Sequence, residues 1–171
     1  FLLDAYAIIF RSYYAFINRP TINSKGLNTS AILGFCNTLK EITDKEHPAY
    51  IGVAFDEGKT FRHEAFPPYK AQRQATPEDI KLAVPIIKDI LSAMHIPVLV
   101  SPGFEADDVI GTLALQAAQA GVETYMLTPD KDYGQLIREN VYMYRPRHGG
   151  GYDVIGEKQI EDKYGVASAH Q

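Results

Sequence analysis

The placement of its acidic residues constrains this chain more than any other feature. Asp4 follows the apolar run Phe1-Leu-Leu, and Asp56 follows Ala49-Tyr-Ile-Gly-Val-Ala-Phe. Glu105, Asp107 and Asp108 open a helix-like stretch, and Asp130 and Asp132 come directly after Val122-Glu-Thr-Tyr-Met-Leu-Thr. Carboxylates at strand ends and at a helix start face one edge of an α/β sheet, the edge where ligand crevices form. Seven acids gathered there repel each other unless positive charge holds them. Oxygen-only donors favour a hard divalent cation, and Mg²⁺ suits a site that phosphate and water complete. The pattern points to metal-dependent phosphodiester chemistry. The number of acids points to two ions, because a pair about 4 Å apart serves an in-line phosphoryl displacement.

Taken singly, each acid has an ordinary explanation, as a helix-start residue complementing the macrodipole or as a cap or turn residue. Four such sites at successive strand ends do not. Asp108 stands three residues after Glu105, so the two share a helix face, while Asp107 points elsewhere on a regular helix and must bind from its very start or through water.

The apolar patterning predicts an α/β fold with a mainly parallel central sheet and helices on both faces. Tyr50 to Phe55 is a continuous apolar run, as in a strand covered on both sides. Strands are also expected at 1–3, 96–100, 122–127 and 141–144. Helices are expected at 31–42, with Thr29 or Ser30 as cap, at 106–120, ended by Gly121, and as short pieces at 131–137 and 156–164. Thr76-Pro-Glu-Asp starts another, running to Met94 with Ile80, Val84, Ile87, Ile90 and Leu91 inward and Pro85 as a candidate kink. With 171 residues, 46% of them hydrophobic, one domain is expected. No apolar run approaches the roughly 20 residues of a membrane span. Cys36 is alone, which excludes an internal disulfide and fits a reducing cytoplasm.

A net charge of −4 argues against a nucleic-acid partner only if the acids are evenly spread. Taking the seven site acids from the 21 Asp and Glu leaves 14 against 17 Lys and Arg, a mildly basic remainder. Part of that basic charge lies directly after Asp56. The segment from Lys59 to Arg73 carries Lys59, Arg62, His63, Lys70 and Arg73 with the aromatics Phe61, Phe66 and Tyr69. Cations there would hold a phosphate backbone, and the rings would stack on unpaired bases. A solvated surface loop is the plainer reading of this composition. Its position beside the acids makes it an arch-like segment and a candidate substrate gate. Lys70 and Arg73 share one face if this part is helical. Arg11 and Tyr14 are further candidate substrate contacts, whereas Tyr13 and Phe16 read as core. Arg145-Pro-Arg147-His148 reads as a basic surface turn, with backbone contact its minor reading.

Asp4, Val53-Ala-Phe-Asp56, Phe61-Arg62, Tyr69-Lys70-Ala-Gln-Arg73, Glu105-Ala-Asp107-Asp108-Val-Ile-Gly-Thr-Leu-Ala and Thr128-Pro-Asp130-Lys-Asp132-Tyr-Gly-Gln-Leu together resemble the 5′-nuclease domain of bacterial DNA polymerase I. The likeness covers nearly the whole chain. It implies a PIN-like fold in a family that includes flap endonucleases and cuts 5′ flaps, nicked or gapped duplexes and RNA primers with two divalent ions, Mg²⁺ or Mn²⁺ in its place. By position it makes Asp4, Asp56, Glu105, Asp107, Asp108, Asp130 and Asp132 metal ligands, and sets Lys70 and Arg73 near the scissile phosphate in the helical arch. It further implies hydrolysis to 3′-hydroxyl and 5′-phosphate ends, a monomer, a bacterial cytoplasmic, nucleoid-associated location, and a polymerase fused downstream.

Two departures from the family pattern matter. The turn Asp56-Glu-Gly-Lys-Thr-Phe is short, and the family continues past Gln171 with a helix-hairpin duplex-binding module and a further acidic pair. Residues 1–171 therefore read as most of a catalytic domain, with its second metal site incomplete and weak or no activity alone. Two other readings stay open: a PIN-type ribonuclease, and a non-catalytic structure-specific DNA-binding module.

Overall fold

The short apolar runs pair side by side into one six-stranded sheet. β1 (Leu2–Asp4), β2 (Gly52–Ala54), β3 (Val98–Leu99), β4 (Thr124–Leu127), β5 (Val141–Pro146) and β6 (Tyr152–Ile155) lie in the order β3-β2-β1-β4-β5-β6. The first five run parallel and β6 pairs antiparallel with β5. The computed structural model describes residues 1–72 and 74–165.

Parallel neighbours require crossovers, and the helices supply them. α1 (Ala5–Ala15) and α2 (Ser30–Glu46) lead from β1 to β2, and α3 (Phe61–Ala65) and α4 (Glu78–Ala93) lead on to β3. α5 (Ala106–Gln119) returns the chain to β4, a 3-10 helix (Lys131–Leu136) leads to β5, and α6 (Glu157–Tyr164) follows β6.

Alternation along the strands divides the core into two layers. Leu3, Val53, Phe55, Leu127 and Tyr144 pack against α1, α2 and α4 through Ile9, Phe35, Leu39, Ile42, Ile80, Ile87 and Leu91. Ala54, Met126, Val141 and Met143 face the other way, onto Ile110 and Ala114 of α5 and onto Tyr133, Ile137 and Ile160. Each large side chain so buried contributes about 1.5–3 kcal/mol. The chain passes from β1 to β2 on one side and later returns to β4 on the other, so the strand order reverses at β1. Crevices open outside the carboxyl ends of strands at such a point.

The structure departs from the sequence expectations in several places. α1 was not foreseen: its buried face is Ala5, Ile8, Ile9 and Ser12, and the polar Ser12 hides the period. Ser12 is buried because α2 crosses there at Gly34, where a Cβ would stand 2.5 Å from the Ser12 Cβ. Phe16 is not core but 36% exposed, because it lies past the helix end. Tyr50 lies outside β2 and is exposed. Thr29 is the N-cap of α2 as expected, but its side chain makes no capping hydrogen bond; Asn28 Oδ1 instead accepts from the Ser30 N–H at 3.0 Å. α4 runs on through Pro85, and Ala83 takes a buried place while Val84 and Ile90 are half-buried. β6 was also missed, since its short mixed sequence shows neither period. Among the described residues, no helix is long and apolar enough to cross a membrane.

Candidate functional site

The strand-end acids meet as expected from the sheet's parallel order, but not all seven face the same space. A cleft of about 490 Å³ at the carboxyl edge is lined by Asp4, Asp56, Glu105, Asp107 and Asp130, with Lys70 and Tyr133. Asp4 ends β1 and caps α1, its Oδ1 accepting from the Ala7 N–H at 3.1 Å and its Oδ2 from the Tyr133 hydroxyl at 3.0 Å. Asp56, just after β2, accepts from the Ala106 N–H at 2.7 Å and so reaches across to the start of α5. Asp130 caps the 3-10 helix by accepting from the Asp132 N–H at 3.0 Å. Asp132 itself is exposed and lies outside the cleft wall.

Glu105 and Asp107 share the cleft, whereas Asp108 does not. This reverses the pairing expected from helix periodicity, because Glu105 is the extended N-cap of α5 and not a helical residue. Asp108 turns back to accept from the Glu105 N–H at 3.0 Å, and it takes both ends of the Arg62 guanidinium at 2.6 and 2.7 Å.

The arch segment supplies the counter-charge. α3 starts at the buried Thr60, whose N–H donates to His63 Nδ1 at 3.2 Å, and carries Arg62 inward. The chain then turns, without forming a helix, through Lys70, whose φ of 56° is left-handed. The Lys70 Nζ donates to Glu105 Oε1 at 2.7 Å and the Tyr69 hydroxyl to Glu105 Oε2 at 3.0 Å; the second Glu105 oxygen also lies 3.7 Å from Arg62. Three arch residues foreseen as nucleic-acid contacts thus sit on the acids. Lys59 and Phe66 are exposed, Arg11 and Tyr14 lie on α1 beside the cleft, and Arg73 lies outside the described residues. Sequence reading missed Tyr133 and Gln74 as members of the cleft wall; both stand next to residues it singled out, but being uncharged they were not marked by the charge pattern.

The electrostatics divide the acids. Burial pushes the Asp4 carboxyl up to about 6; hydrogen bonds from Ala7 and Tyr133 oppose the rise, and Asp56 and Asp107 add to it. Asp107 is raised too, first by burial and then by Asp108 and Glu105. Asp108 is held low by its hydrogen bonds to Arg62. Burial also works to raise Glu105, but the hydrogen bonds from Lys70 and Tyr69 and the two nearby cations carry it below the usual range. As the side chains stand, no three His, Cys, Asp or Glu among the described residues converge closely enough to hold one ion together. In donor type the cleft fits a hard cation: every charged acceptor in its wall is a carboxylate, with no thiol or imidazole.

Residues 1–165 match the family described as 5′-3′ exonuclease, N-terminal resolvase-like domain. A 5′-3′ exonuclease of Aquifex aeolicus is 39% identical over 97% of this chain and 56% of its own length. A DNA polymerase I of Synechocystis is 37% identical over 98% of this chain but only 18% of its own. This chain thus spans little over half of the first relative and under a fifth of the second. The T5 5′-exonuclease with bound divalent metal ions (zinc) superposes with a TM-score of 0.71 at 17% identity, over 98% of this chain and 61% of that one. At that identity the likeness concerns the fold alone. The match over nearly every residue is decisive for kinship: this chain belongs to the family of 5′-3′ exonuclease N-terminal, resolvase-like domains.

Proposed function

We propose that this chain is the catalytic part of a metal-dependent, structure-specific 5′-nuclease that hydrolyses phosphodiester bonds at 5′ flaps, nicks and gaps and in RNA primers paired to DNA. The observation that carries this reading is the meeting of five carboxylates from four separate strand-end segments on one cleft, under a basic arch. When bound there, divalent ions, two of them Mg²⁺ or Mn²⁺ in this proposal, supply a water nucleophile at neutral pH and charge for the leaving oxygen. Asp4, Asp56, Asp107 and Asp130 would hold the first ion, and Glu105 would join them as phosphate draws Lys70 away. Asp132, further out, would serve the second, and Asp108 positions Glu105 and Arg62.

The chain's own residues do the rest. Tyr133 and the Ala7 N–H fix both oxygens of Asp4, so its carboxylate is oriented before any ligand arrives. Lys70 stands at the cleft wall, and an arriving phosphate oxygen would compete with Glu105 for its ammonium. Transferred to phosphate, that charge steadies the oxygens on which negative charge builds. Arg73, three positions on, is assigned the adjacent phosphate, and Lys59 and the exposed Phe66 the strand that passes over the arch. The greater length of the relatives is assigned the duplex-binding module, the rest of the second metal site and, in the DNA polymerase I relatives, a polymerase.

Cleavage of a labelled 5′-flap duplex with Mg²⁺ or Mn²⁺, by this chain and by a form extended through the relatives' additional length, tests the reading. Activity that needs metal and is strong only in the extended form is the expected result. Flap binding without cleavage in both forms would replace the nuclease with a structure-specific binding module.

A further inference from the structure

A second groove, of about 620 Å³, opens beside the acidic cleft and shares Ala7 and Phe10 of α1 with it. Its charge is opposite. Arg11, Arg145 and Arg147 converge on it with Asp153 as its one carboxylate, whereas the cleft next door holds five carboxylates and Lys70. Arg145 and Arg147 come from the β5–β6 hairpin, whose basic turn the acidic site leaves unused.

The hairpin is shaped to present these two guanidinium groups. Asp153 lies 3.2 Å from Arg145 Nη2 and 3.6 Å from Arg147 Nε, so one carboxylate holds both side by side. Arg11 Nη2 donates to the Arg147 carbonyl at 3.0 Å and ties α1 to the turn. The Arg147 N–H donates to the Gly151 carbonyl at 2.9 Å, and a Cβ at Gly151, whose φ is +76°, would stand 2.9 Å from Arg147 Nη2. Glycine there lets the guanidinium lie over the turn. The Arg145 and Arg147 side chains remain 36% and 55% exposed. With five N–H donors each, both have donors to spare beyond Asp153.

An anionic, regularly charged ligand that reaches from a cation-filled acidic site into an arginine groove is a nucleic-acid strand. The aromatic wall agrees. Tyr14 lies nearly parallel to Phe10, with centroids 6.3 Å apart, and meets Tyr13 at a steep angle at 5.3 Å, yet stays 54% exposed, so part of its ring is within reach of an unpaired base. Ala7, Arg11 and Tyr14 recur at helical spacing along one face of α1, the helix that Asp4 caps. The seven steps from Ala7 to Tyr14 rise about 10 Å at 1.5 Å per residue, which is about three steps of strand at 3.4 Å each.

We propose that the β5–β6 hairpin is a second strand-binding site, in which Arg145 and Arg147 bind neighbouring phosphates of one nucleic-acid strand leaving the acidic cleft while Tyr14 stacks on an unpaired base. The identity of the ligand rests on the nuclease reading; the groove and its charge do not. The test is fluorescence anisotropy of a short labelled single strand with the whole chain in EDTA, over a series of salt concentrations, beside metal-dependent flap cleavage. The double variant R145A/R147A is expected to bind about tenfold more weakly, with a salt slope shallower by about 1.4, or 0.7 per phosphate lost. Asp153→Asn, which removes the competing carboxylate, is expected to bind more tightly. Wild-type affinity and slope in the double variant would overturn the site. Should that variant fail to fold, unchanged or weaker binding by Asp153→Asn overturns it instead. Arginine-dependent binding by a wild-type chain that cleaves nothing would support the groove and count against the nuclease.

Discussion

Two halves of one acidic edge, built from the same residue types, have opposite affinities for protons. Glu105 and Asp108 lie under the arch, where Arg62, Lys70 and Tyr69 satisfy them and hold both carboxyls low. Asp4 and Asp107 lie a few residues away with no arch cation among the described residues bonded to them, and both are pushed up. The difference is not the number of hydrogen bonds, since Asp4 accepts two. It is burial first, which pushes Asp4 and Asp107 up, and then the charge of the donor: a tyrosine hydroxyl and a backbone N–H orient a carboxylate without neutralising it. The fold thus stabilises half of its acids internally and leaves the other half to a proton or to a cation from solution.

Asp107→Ala breaks the comparison most severely. It removes a cleft carboxylate to which no arch cation among the described residues is bonded, so the loss falls on function. Several kcal/mol of transition-state charge stabilisation corresponds to a fall of about 10²- to 10³-fold in kcat/KM for metal-dependent flap cleavage. The folded state loses the repulsion from Asp108 and Glu105 together with the hydrogen bond that Asp107 Oδ1 accepts from the Asp108 N–H at 2.8 Å, so the two effects oppose each other and the urea midpoint should stay close to wild type. Retained cleavage would remove Asp107 from the site.

Asp4 sharpens the comparison through pH. Burial pushes its folded carboxyl up to about 6 from an ordinary 3.8, so between these the folded state binds more protons than the unfolded. Stability contributed by this group therefore falls as pH rises from about 4 to 6 and is flat beyond. The loss is about 2–3 kcal/mol at 1.36 kcal/mol per unit. Unfolding free energies across this range in EDTA should show it, and Asp4→Asn, which can still cap α1, should flatten that part of the profile. Mg²⁺ should offset the wild-type loss above pH 6 and do less for the variant. An identical slope in the two proteins would mean that Asp4 does not carry the strain.

The satisfied half is tested by Arg62→Ala. Arg62 and Asp108 are 29% and 24% exposed, so deletion leaves a partly buried carboxylate without its bidentate partner, and a loss of about 2 kcal/mol is expected, below the fully buried range. Adding Asp108→Asn should recover part of it in a double-mutant cycle. Full additivity would show that the pair is ornamental.

How much of this was legible in the sequence depends on whether the signal is local. The parallel sheet was, because Tyr50 to Phe55 and Val122 to Leu127 are apolar runs ended by acids, and strand ends in a parallel sheet point one way. So was the gathering of Asp4, Asp56, Glu105, Asp107 and Asp130. What escaped reading depends on contacts between distant residues. α1 is hidden by Ser12, which is buried only because Gly34 lets α2 approach. The turn of Asp108 away from the cleft depends on Arg62, 46 residues earlier. The arch reads as a substrate-binding surface by composition, yet Arg62, Tyr69 and Lys70 spend their polar groups on the acids beneath.

Lys70 offers the finest test, because its backbone and its charge can be separated. Its φ of 56° is costly for any residue with a Cβ, so the turn bends in a strained way that carries the ammonium to Glu105. Lys70→Ala keeps the strain and loses the charge. Because Arg62 and Tyr69 stay on Glu105, stability should fall by only about 1 kcal/mol. Lys70→Gly loses the same charge but relieves the backbone, so it should be more stable than the alanine variant by about 1 kcal/mol. In flap cleavage both should fall about tenfold or more, and alike, since the ammonium is missing from each. Equal stability of the two variants would mean the turn is not strained at Lys70. Unequal cleavage would mean that the shape of the arch, beyond the charge it delivers, sets the rate.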